Sequence, residues 1–565
     1  MDVAPARRSA DFRPSRKGVP GWARAASIAV AALALPSAAS AEEASPLANY
    51  VQARAAASAG AVEQASAAFA AILASEPDNE LVAAQALSHA VAAGDWDLAL
   101  AAARALERRN ALQPDVRFLL LADAFRSRDW ARADQQIGLI EQEQLFAFAV
   151  PVLRAGRAHG SRRGDPFSFL PEQGLEGAAA SYAAEHRILL GIARGRIEDP
   201  QRIIAGLSSA GARSTRLRFA AAAALAERRN RRAALALLDG QDPATAAART
   251  LVERKRLQGA IDSPAAGLAE LLVRLSLDLH SQNLTPLALS FTRIATWLAP
   301  DNSETWMIAA ELLADRDRDR EAVALLDRVS ADDPFAAQVR DLRVRLLVQA
   351  EEGERALAQA VAATQDPAAS MSDWVRLGEV QLATDRPAEA AEALARAIEA
   401  HGGQDESMEL WALWLMRGSA HDQADQWPEA KAALQEAYRL APEQPLVLNY
   451  LGYAQLERGE NLVEAERLVR EAHRLAPDSA AITDSLGWAL YLKGQLPEAI
   501  QLLELAARGE PADVEINEHL GDAYFAAGRR HEARFAWRAA LVYAEDEDAE
   551  RLNAKIRTGP QIAAR

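Results

Sequence analysis

Residues 480–511 read AAITDSLGWALYLKGQLPEAIQLLELAARGEP, and this stretch decides the fold. It carries a Leu-Gly pair that ends at Gly487, a small residue at Ala499, a bulky one at Leu503 and a closing Pro511. The same order of residues returns along the second half of the chain. The glycines that mark it are separated by 40, 34, 35 and 34 residues, and they are Gly378, Gly418, Gly452, Gly487 and Gly521. A period of this length is typical of stacked two-helix units.

Each repeated residue has a physical role in a helical hairpin. Gly487 and Ala499 are small, so two helices can cross closely where these residues meet. Leu503 has the volume to fill the gap between neighbouring hairpins. Pro511 ends the second helix because proline lacks an amide hydrogen and clashes with the preceding turn. With a short turn at 493–495, the stretch predicts two helices in each period.

The pattern resembles that of tetratricopeptide repeat proteins, which has an aromatic residue, Leu-Gly, alanine, a bulky residue, alanine and a closing proline. The resemblance is clearest over 371–545, within a C-terminal array over 265–547. Degenerate repeats of the same kind are expected over 42–258, and a capping helix and tail over 548–565. The resemblance implies an all-α fold, a right-handed superhelical solenoid of helix-turn-helix repeats in two superhelical segments.

Two segments rich in glycine and proline interrupt the repeats. Residues 159–174 read HGSRRGDPFSFLPEQG, a composition that opposes helix formation. A second break covers 239–264, with Asp242-Pro243 near its start and Ser263-Pro264 at its end. We expect the boundary between the two superhelical segments at this second break.

Composition limits the classes of function. The 565-residue chain carries 63 basic and 79 acidic side chains, for a formal charge of −16. A general nucleic-acid binder usually presents a basic face, so nucleic acid is not an expected partner. The chain has no cysteine, which excludes disulfides and thiolate metal sites. We expect no cofactor and no bound metal.

The first 41 residues have the layout of a secretory signal peptide. Basic residues dominate 1–24, and the apolar run AASIAVAALAL follows at 25–35. This run is shorter than the roughly 20 residues that a membrane-spanning helix needs. A small-residue site then ends at Ala41, after which we expect cleavage. The layout predicts a periplasmic protein of a Gram-negative bacterium with no membrane span after cleavage. One alternative is that the apolar run stays uncleaved as an anchor. Another is that translation starts at Val19, which would shorten the basic region before the apolar run.

Known catalytic signatures are absent from the sequence. It contains no H-E-x-x-H, G-x-S-x-G or G-x-x-x-x-G-K-[ST] motif. Glu518 and Asp522 share a helix face, but in a chain with 79 acidic residues a solvated face explains such a pair better. His519 and Asp522 have no third metal ligand near them in the sequence. We therefore expect a protein without enzymatic activity.

The first helix of each hairpin faces the concave side of a tetratricopeptide solenoid, where such proteins bind extended or helical partner segments. The Leu-Gly register predicts a partner-binding groove formed by Asn449, Tyr453, Asp484, Trp488, Tyr491, Glu518, Asp522 and Phe525. Aromatic rings stack on cations, and carboxylates pair with arginine or lysine. The groove therefore suits partners with basic or aromatic side chains. The alternative is that the aromatic residues pack inside the array and the acids only solvate its surface.

These features predict a protein-interaction scaffold or adaptor of the bacterial cell envelope. Some tetratricopeptide domains capture a C-terminal carboxylate with a lysine-containing clamp, but the predicted groove has no lysine. One alternative function is a structural subunit of an export or polysaccharide-secretion complex. Another is a binder of carbohydrate or lipid-linked ligands. The sequence names neither the partner nor the oligomeric state.

Overall fold

The computed structural model describes residues 46–58, 61–196, 213–240, 242–257, 261, 263–366, 369–401 and 409–559. The predicted signal peptide, residues 1–41, lies outside these residues. Within them the regular elements are helices, and the chain is an all-α solenoid of helical hairpins, as the sequence predicts. It divides between Glu351 and Glu352 into two compact units, which we call the N-terminal unit and the C-terminal unit.

The described part of the N-terminal unit contains sixteen α-helices. In chain order they are α1 (Pro46–Ser58), α2 (Val62–Ser75), α3 (Glu80–Ala93), α4 (Trp96–Arg108), α5 (Arg117–Ser127), α6 (Trp130–Glu143), α7 (Val150–Ser161), α8 (Gly177–Arg194), α9 (Ser214–Glu227), α10 (Arg231–Ala236), α11 (Pro243–Glu253), α12 (Pro264–Ser281), α13 (Thr285–Leu298), α14 (Ser303–Ala314), α15 (Asp319–Leu326) and α16 (Ala336–Gln349). Side-chain caps fix several starts. Asn79, Asp95 and Asp129 each accept a hydrogen bond from the next turn, which satisfies an amide left free at a helix start.

A cluster of phenylalanines ties distant helices of the N-terminal unit together. The ring of Phe291 on α13 lies 5.2 Å from that of Phe118 on α5 and 5.6 Å from that of Phe146. In addition, α12 contacts α5, α7 and α8. Residues on both sides of the break at 239–264 therefore share one hydrophobic core. The structure differs here from the expected segment boundary, because the chain divides into compact units only after Glu351.

The two predicted breaks contain more helix than their composition suggests. The backbone amide of Thr245 donates to the Asp242 side chain at 2.9 Å, and Pro243 is the first residue of α11. Asp-Pro therefore starts a helix here, since proline fits the first turn, where no intrahelical donor is needed. In the earlier break, α7 continues through His159 to Ser161, and a 3₁₀ turn follows at Pro166–Phe169.

The described part of the C-terminal unit contains twelve α-helices. They are α17 (Gly353–Thr364), α18 (Met371–Ala383), α19 (Pro387–Ala400), α20 (Leu410–Gln423), α21 (Trp427–Leu440), α22 (Pro445–Glu457), α23 (Leu462–Leu475), α24 (Ala480–Leu492), α25 (Leu496–Gly509), α26 (Val514–Ala526), α27 (Arg530–Leu541) and α28 (Asp546–Thr558). From α18 to α27 the helices form five successive hairpins, and each hairpin packs on the next. This arrangement places the first helices of the hairpins, among them α22, α24 and α26, side by side.

Small residues let the two helices of each hairpin approach closely, as the sequence predicts. A Cβ atom added at Gly487 would lie 2.7 Å from Cγ of Leu503, and one at Gly418 would lie 2.7 Å from Cδ2 of Leu434. Ala499, on the helix opposite Gly487, is fully buried. Leu503 thus packs beside Gly487 within its own hairpin and also shares a core cluster with Leu520 and Ala523 of the next one, so it fills the gap between hairpins as the sequence predicts.

The last helix, α28, closes the end of the C-terminal unit. Leu552 on this helix is fully buried in one cluster with Trp537, which is itself only 1% exposed. Trp537 is therefore a core residue of the last hairpin, and α28 covers it. Among the helices that the structure describes, none combines the length and the apolar character needed to cross a lipid bilayer.

Candidate functional site

An open cleft of about 540 Å³ lies in the C-terminal unit, between the first helices of the last hairpins and α28. Six carboxylate side chains and three basic side chains line it, so the cleft is acidic overall. We call it the acidic cleft, and its main lining residues are Glu457, Trp488, Glu515, Glu518, His519, Asp522, Arg551 and Lys555. Three of the predicted groove residues, Trp488, Glu518 and Asp522, are among them.

Trp488 forms the aromatic wall of the acidic cleft. Its ring stacks on His519 at a centroid distance of 4.0 Å and on Tyr491 at 4.7 Å, with interplanar angles of 14° and 17°. The indole N–H donates to Oε1 of Glu457 at 3.1 Å. Trp488 and Tyr491 are only partly buried. The indole is therefore held in place while part of its surface is left open to the cleft.

His519 is buried among carboxylates beneath this wall. Its Nδ1 lies 2.9 Å from Oδ2 of Asp484, and its Nε2 lies 4.0 Å from Oε1 of Glu515. Burial disfavours the charged imidazole, but Asp484, Glu515 and Glu457 together raise the pKa of His519 to about 9. The ring is therefore an imidazolium at neutral pH, and part of the negative charge of the cleft is balanced from inside.

Tyr453 and Asn449 lie behind the cleft on α22. The Tyr453 hydroxyl donates to Oε1 of Glu515, and burial together with nearby carboxylates raises the pKa of Tyr453 well above its ordinary value. The side-chain oxygen of Asn449 and Oδ1 of Asp484 are buried and have no hydrogen-bond partner among the described residues. Tyr453 and Asp484 therefore support the site from below and do not line its surface.

Glu518 and Asp522 are already paired within the chain. Arg551 of α28 donates to both oxygens of Glu518, at 2.9 Å and 2.6 Å, and Nζ of Lys555 lies 2.6 Å from both Glu518 and Asp522. The indole N–H of Trp537 donates to Asp522 at 3.0 Å. Burial opposes ionisation of Glu518, but these cations lower its pKa to about 2. The basic side chains that bind these acids here belong to the protein's own last helix, and pairing with a partner stays a prediction.

Phe525 lies away from the acidic cleft. Its ring packs 5.7 Å from that of Trp537 and contacts the end of α28 near Gly559. For this residue the structure supports the alternative of packing inside the array. The described residues contain no group of three or more side chains placed to hold a metal ion.

Sequence reasoning missed several residues that shape the cleft. His519, Glu515 and Glu457 surround Trp488, although none was among the predicted groove residues. The tail residues Arg551 and Lys555 were also missed. The signal that could have found them is the register itself: Arg551 and Lys555 each lie 33 residues after the acid that they bind, which is close to one repeat period.

Comparison with known proteins gives the following matches. The sequence matches no protein-family model and no curated protein. Among solved structures, the APC/C hetero-tetramer Cut9–Hcn1 is 14% identical over 92% of this chain and 97% of that one, with a TM-score of 0.36. The tetratricopeptide protein TTC0263 of Thermus thermophilus is 20% identical over 34% and 98%, with a TM-score of 0.29. MamA from Desulfovibrio magneticus RS-1 is 16% identical over 31% and 94%, with a TM-score of 0.26.

The hairpins themselves define the class of protein. A period of about 34 residues, two helices in each period, and glycine packed against the second helix describe a tetratricopeptide-like helical solenoid. Proteins built in this way present extended concave surfaces to their partners.

Proposed function

We propose that this protein is an interaction scaffold of the bacterial cell envelope, and that its acidic cleft binds an extended or helical partner segment with basic and aromatic side chains. The observation that carries the proposal is a partly exposed Trp488, held by its stack on Tyr491, that lines an open cleft with an excess of carboxylates. No chemical reaction is part of the proposal, since the sequence offers no catalytic signature.

The groups that the cleft offers to a partner are specific. The Glu515 side chain is 51% exposed although its Oε1 accepts the Tyr453 hydroxyl, so its carboxylate is within reach of an arriving cation. Tyr491 and His519 already stack on the Trp488 ring, so its partly exposed remainder offers an apolar edge that an arriving aromatic or arginine side chain can contact. Glu518 and Asp522 contribute negative charge to the cleft but are bonded to α28. A partner segment is therefore expected to contact Glu515 and Trp488 first.

Crosslinking in cells tests this binding surface. A tagged full-length protein is compared with a cleft variant, Tyr491→Ala with Glu515→Lys, and with a control, Glu498→Lys, whose exposed residue lies on α25 outside the cleft. We expect a discrete set of proteins to crosslink to the wild type and to the control and to be lost from the cleft variant. Circular dichroism of all three proteins checks that the helices are intact.

Two results would overturn the proposed binding surface. The first is an identical set of crosslinked proteins for the wild type and the cleft variant. The second is the absence of any specific protein, which would direct attention to glycans and lipid-linked ligands.

The envelope location is a separate part of the proposal. It rests on the signal-peptide layout of residues 1–41. Cell fractionation followed by N-terminal sequencing is expected to find the protein in the periplasmic fraction, beginning at Glu42. A cytoplasmic protein that retains residues 1–41 would refute the location and leave the binding surface to be judged on its own.

A further inference from the structure

The N-terminal unit contains a second open cleft, of about 720 Å³, whose chemistry is opposite to that of the acidic cleft. Segments of α2 to α5 and of α13 to α15 border it. We call it the arginine–tryptophan cleft, after six of its lining residues: Trp96, Arg126, Arg293, Trp297, Trp306 and Arg328.

The tryptophan wall of this cleft is held in place by neighbouring groups. Trp96 and Trp297 stack at a centroid distance of 5.1 Å and an interplanar angle of 18°. The Arg126 guanidinium lies 4.6 Å from the ring centroid of Trp297 and donates to the Trp297 carbonyl. The indole N–H of Trp306 donates to the Pro300 carbonyl at 2.8 Å. A ligand would therefore meet a wall that is already ordered, which lowers the entropy cost of binding.

Arg293 is a buried cation that no carboxylate binds within the described residues. The residue is 6% exposed, and its Nε and Nη2 donate to the carbonyls of Val91 and Ala92, at 3.3 Å and 3.1 Å. Gly94 makes room for it, since a Cβ there would lie 3.0 Å from Nη2. Burial and the positive charges of Arg328 and Arg318 lower the pKa of Arg293 to about 10, although the carboxylate of Glu321 opposes this shift. An anion in the cleft would offset the positive charge that remains.

The charges around Arg293 leave the cleft basic. Two acids line it, Glu63 and Glu321, but Arg318 binds both oxygens of Glu321. Arg328 is exposed and forms no ion pair within the described part of the N-terminal unit. Three arginines thus line the cleft against one acid, Glu63, that forms no ion pair among the described residues, in a protein whose formal charge is −16. A basic cleft in so acidic a chain favours anionic ligands over cations.

We propose that the arginine–tryptophan cleft binds an acidic segment of a partner protein, with carboxylates at Arg293 and Arg328 and an apolar side chain against the tryptophans. Guanidinium groups bind carboxylates through paired, charge-assisted hydrogen bonds. The cationic and apolar groups come from several helices, so an extended chain that carries both acidic and apolar side chains can contact them together. The proposal does not depend on the acidic cleft, whose partner has the opposite charge.

Selection from a displayed library of random twelve-residue peptides, fused at both ends to neutral linkers, tests this proposal on the full-length protein. We expect one enriched class to be rich in Asp and Glu with an aromatic or aliphatic residue. A peptide of that class, acetylated and amidated at its ends, is then titrated by fluorescence polarisation. Arg328→Glu is expected to weaken its binding at least tenfold, whereas Arg340→Glu, an exposed arginine of α16 outside the cleft, leaves it unchanged. Replacing Asp and Glu of the peptide by Asn and Gln is expected to have an effect as large as that of Arg328→Glu.

Three results would overturn the inference. The first is that the selection yields no acidic class. The second is that the wild type and Arg328→Glu bind the acidic peptide equally well. The third is that polyphosphate or an anionic glycan displaces the acidic peptide and binds the cleft far more tightly than the peptide does. Arg328 is exposed, so its substitution leaves the core intact. The acidic cleft is expected to enrich a second, basic class from the same library. Loss of that class in the Tyr491→Ala, Glu515→Lys variant reports on the acidic cleft alone, so the two proposals fail separately.

Discussion

His519 links the acidic cleft to the stability of the C-terminal unit. Its imidazole faces Asp484 on α24, Glu457 on α22 and Glu515 on its own helix, and Trp488 stacks on the ring. Burial alone would lower the pKa of His519, but the carboxylates raise it from 6.5 to about 9. The folded protein therefore binds this proton more tightly than the unfolded chain does.

The sign and size of the effect follow from this difference in pKa. A pKa that is raised on folding stabilises the folded state fully below about pH 6.5, and that stabilisation is lost as the pH rises through about 9. At about 1.4 kcal/mol for each pKa unit, the difference corresponds to roughly 3 kcal/mol. A contribution of that size is a large part of the stability of an ordinary domain.

Urea denaturation of the full-length protein and of His519→Gln, followed by circular dichroism across this pH range, measures the contribution. Glutamine still donates to Asp484 but does not titrate, so the variant serves as the non-titrating reference for the wild type at each pH. We expect the variant to be less stable by roughly 3 kcal/mol near pH 6.5 and nearly equal to the wild type above pH 9. A difference that stays constant with pH would refute this account of the site. So would an imidazole NMR resonance, absent from the variant, that titrates below pH 6.5.

Three further predictions concern the hairpins and α28. Gly487→Ala is expected to cost about 1–3 kcal/mol because its Cβ overlaps Leu503, whereas Gly138→Ala, with open space around it, is expected to be neutral or stabilising by up to about 1 kcal/mol in thermal unfolding. Leu552→Ala should destabilise the attachment of α28 by about 2–5 kcal/mol, seen as faster proteolysis of the tail, and an unchanged cleavage rate would contradict its packing. The pKa of Glu518 is lowered on folding, so its ion pairs stabilise the wild type above about pH 4.5 and this stabilisation is lost as the pH falls towards 2. Glu518→Gln should lack this stabilisation. Parallel acid-unfolding curves for the two proteins would count against the ion pairs with α28.

The repeat period was readable from the sequence because its cause is local. Gly487 and Ala499 must both be small for one hairpin to close, and this requirement returns in every repeat. The hairpins of the C-terminal unit follow from it. The same logic placed Trp488 and Tyr491 among the groove residues; in the structure the two rings stack and Trp488 lines the acidic cleft, while partner binding there stays a prediction.

What the sequence did not reveal depends on contacts between distant segments. Nothing in the spacing indicated that Phe291 would pack against Phe118, so a boundary was expected where the core is continuous. The tail carries no Leu-Gly pair to mark it as a continuation of the repeats, so the 33-residue spacing from Glu518 to Arg551 was not recognised. A sequence repeat predicts that each hairpin packs on the next one, but it does not predict that a helix packs on one much earlier in the chain.

The contacts that close the N-terminal unit also constrain how the chain acquires its structure. Arg126 bonds to Trp297 across 171 residues, and Arg293 bonds to Val91 across 202. Until α13 has been synthesised, the apolar face around Phe118 has no cover, so this half cannot complete its core one hairpin at a time. The C-terminal unit, built from contacts between neighbouring hairpins, can grow stepwise from any of them. The two halves of one polypeptide thus differ in contact order, and we expect the N-terminal half to fold more slowly and to be exposed for longer to aggregation or to a chaperone.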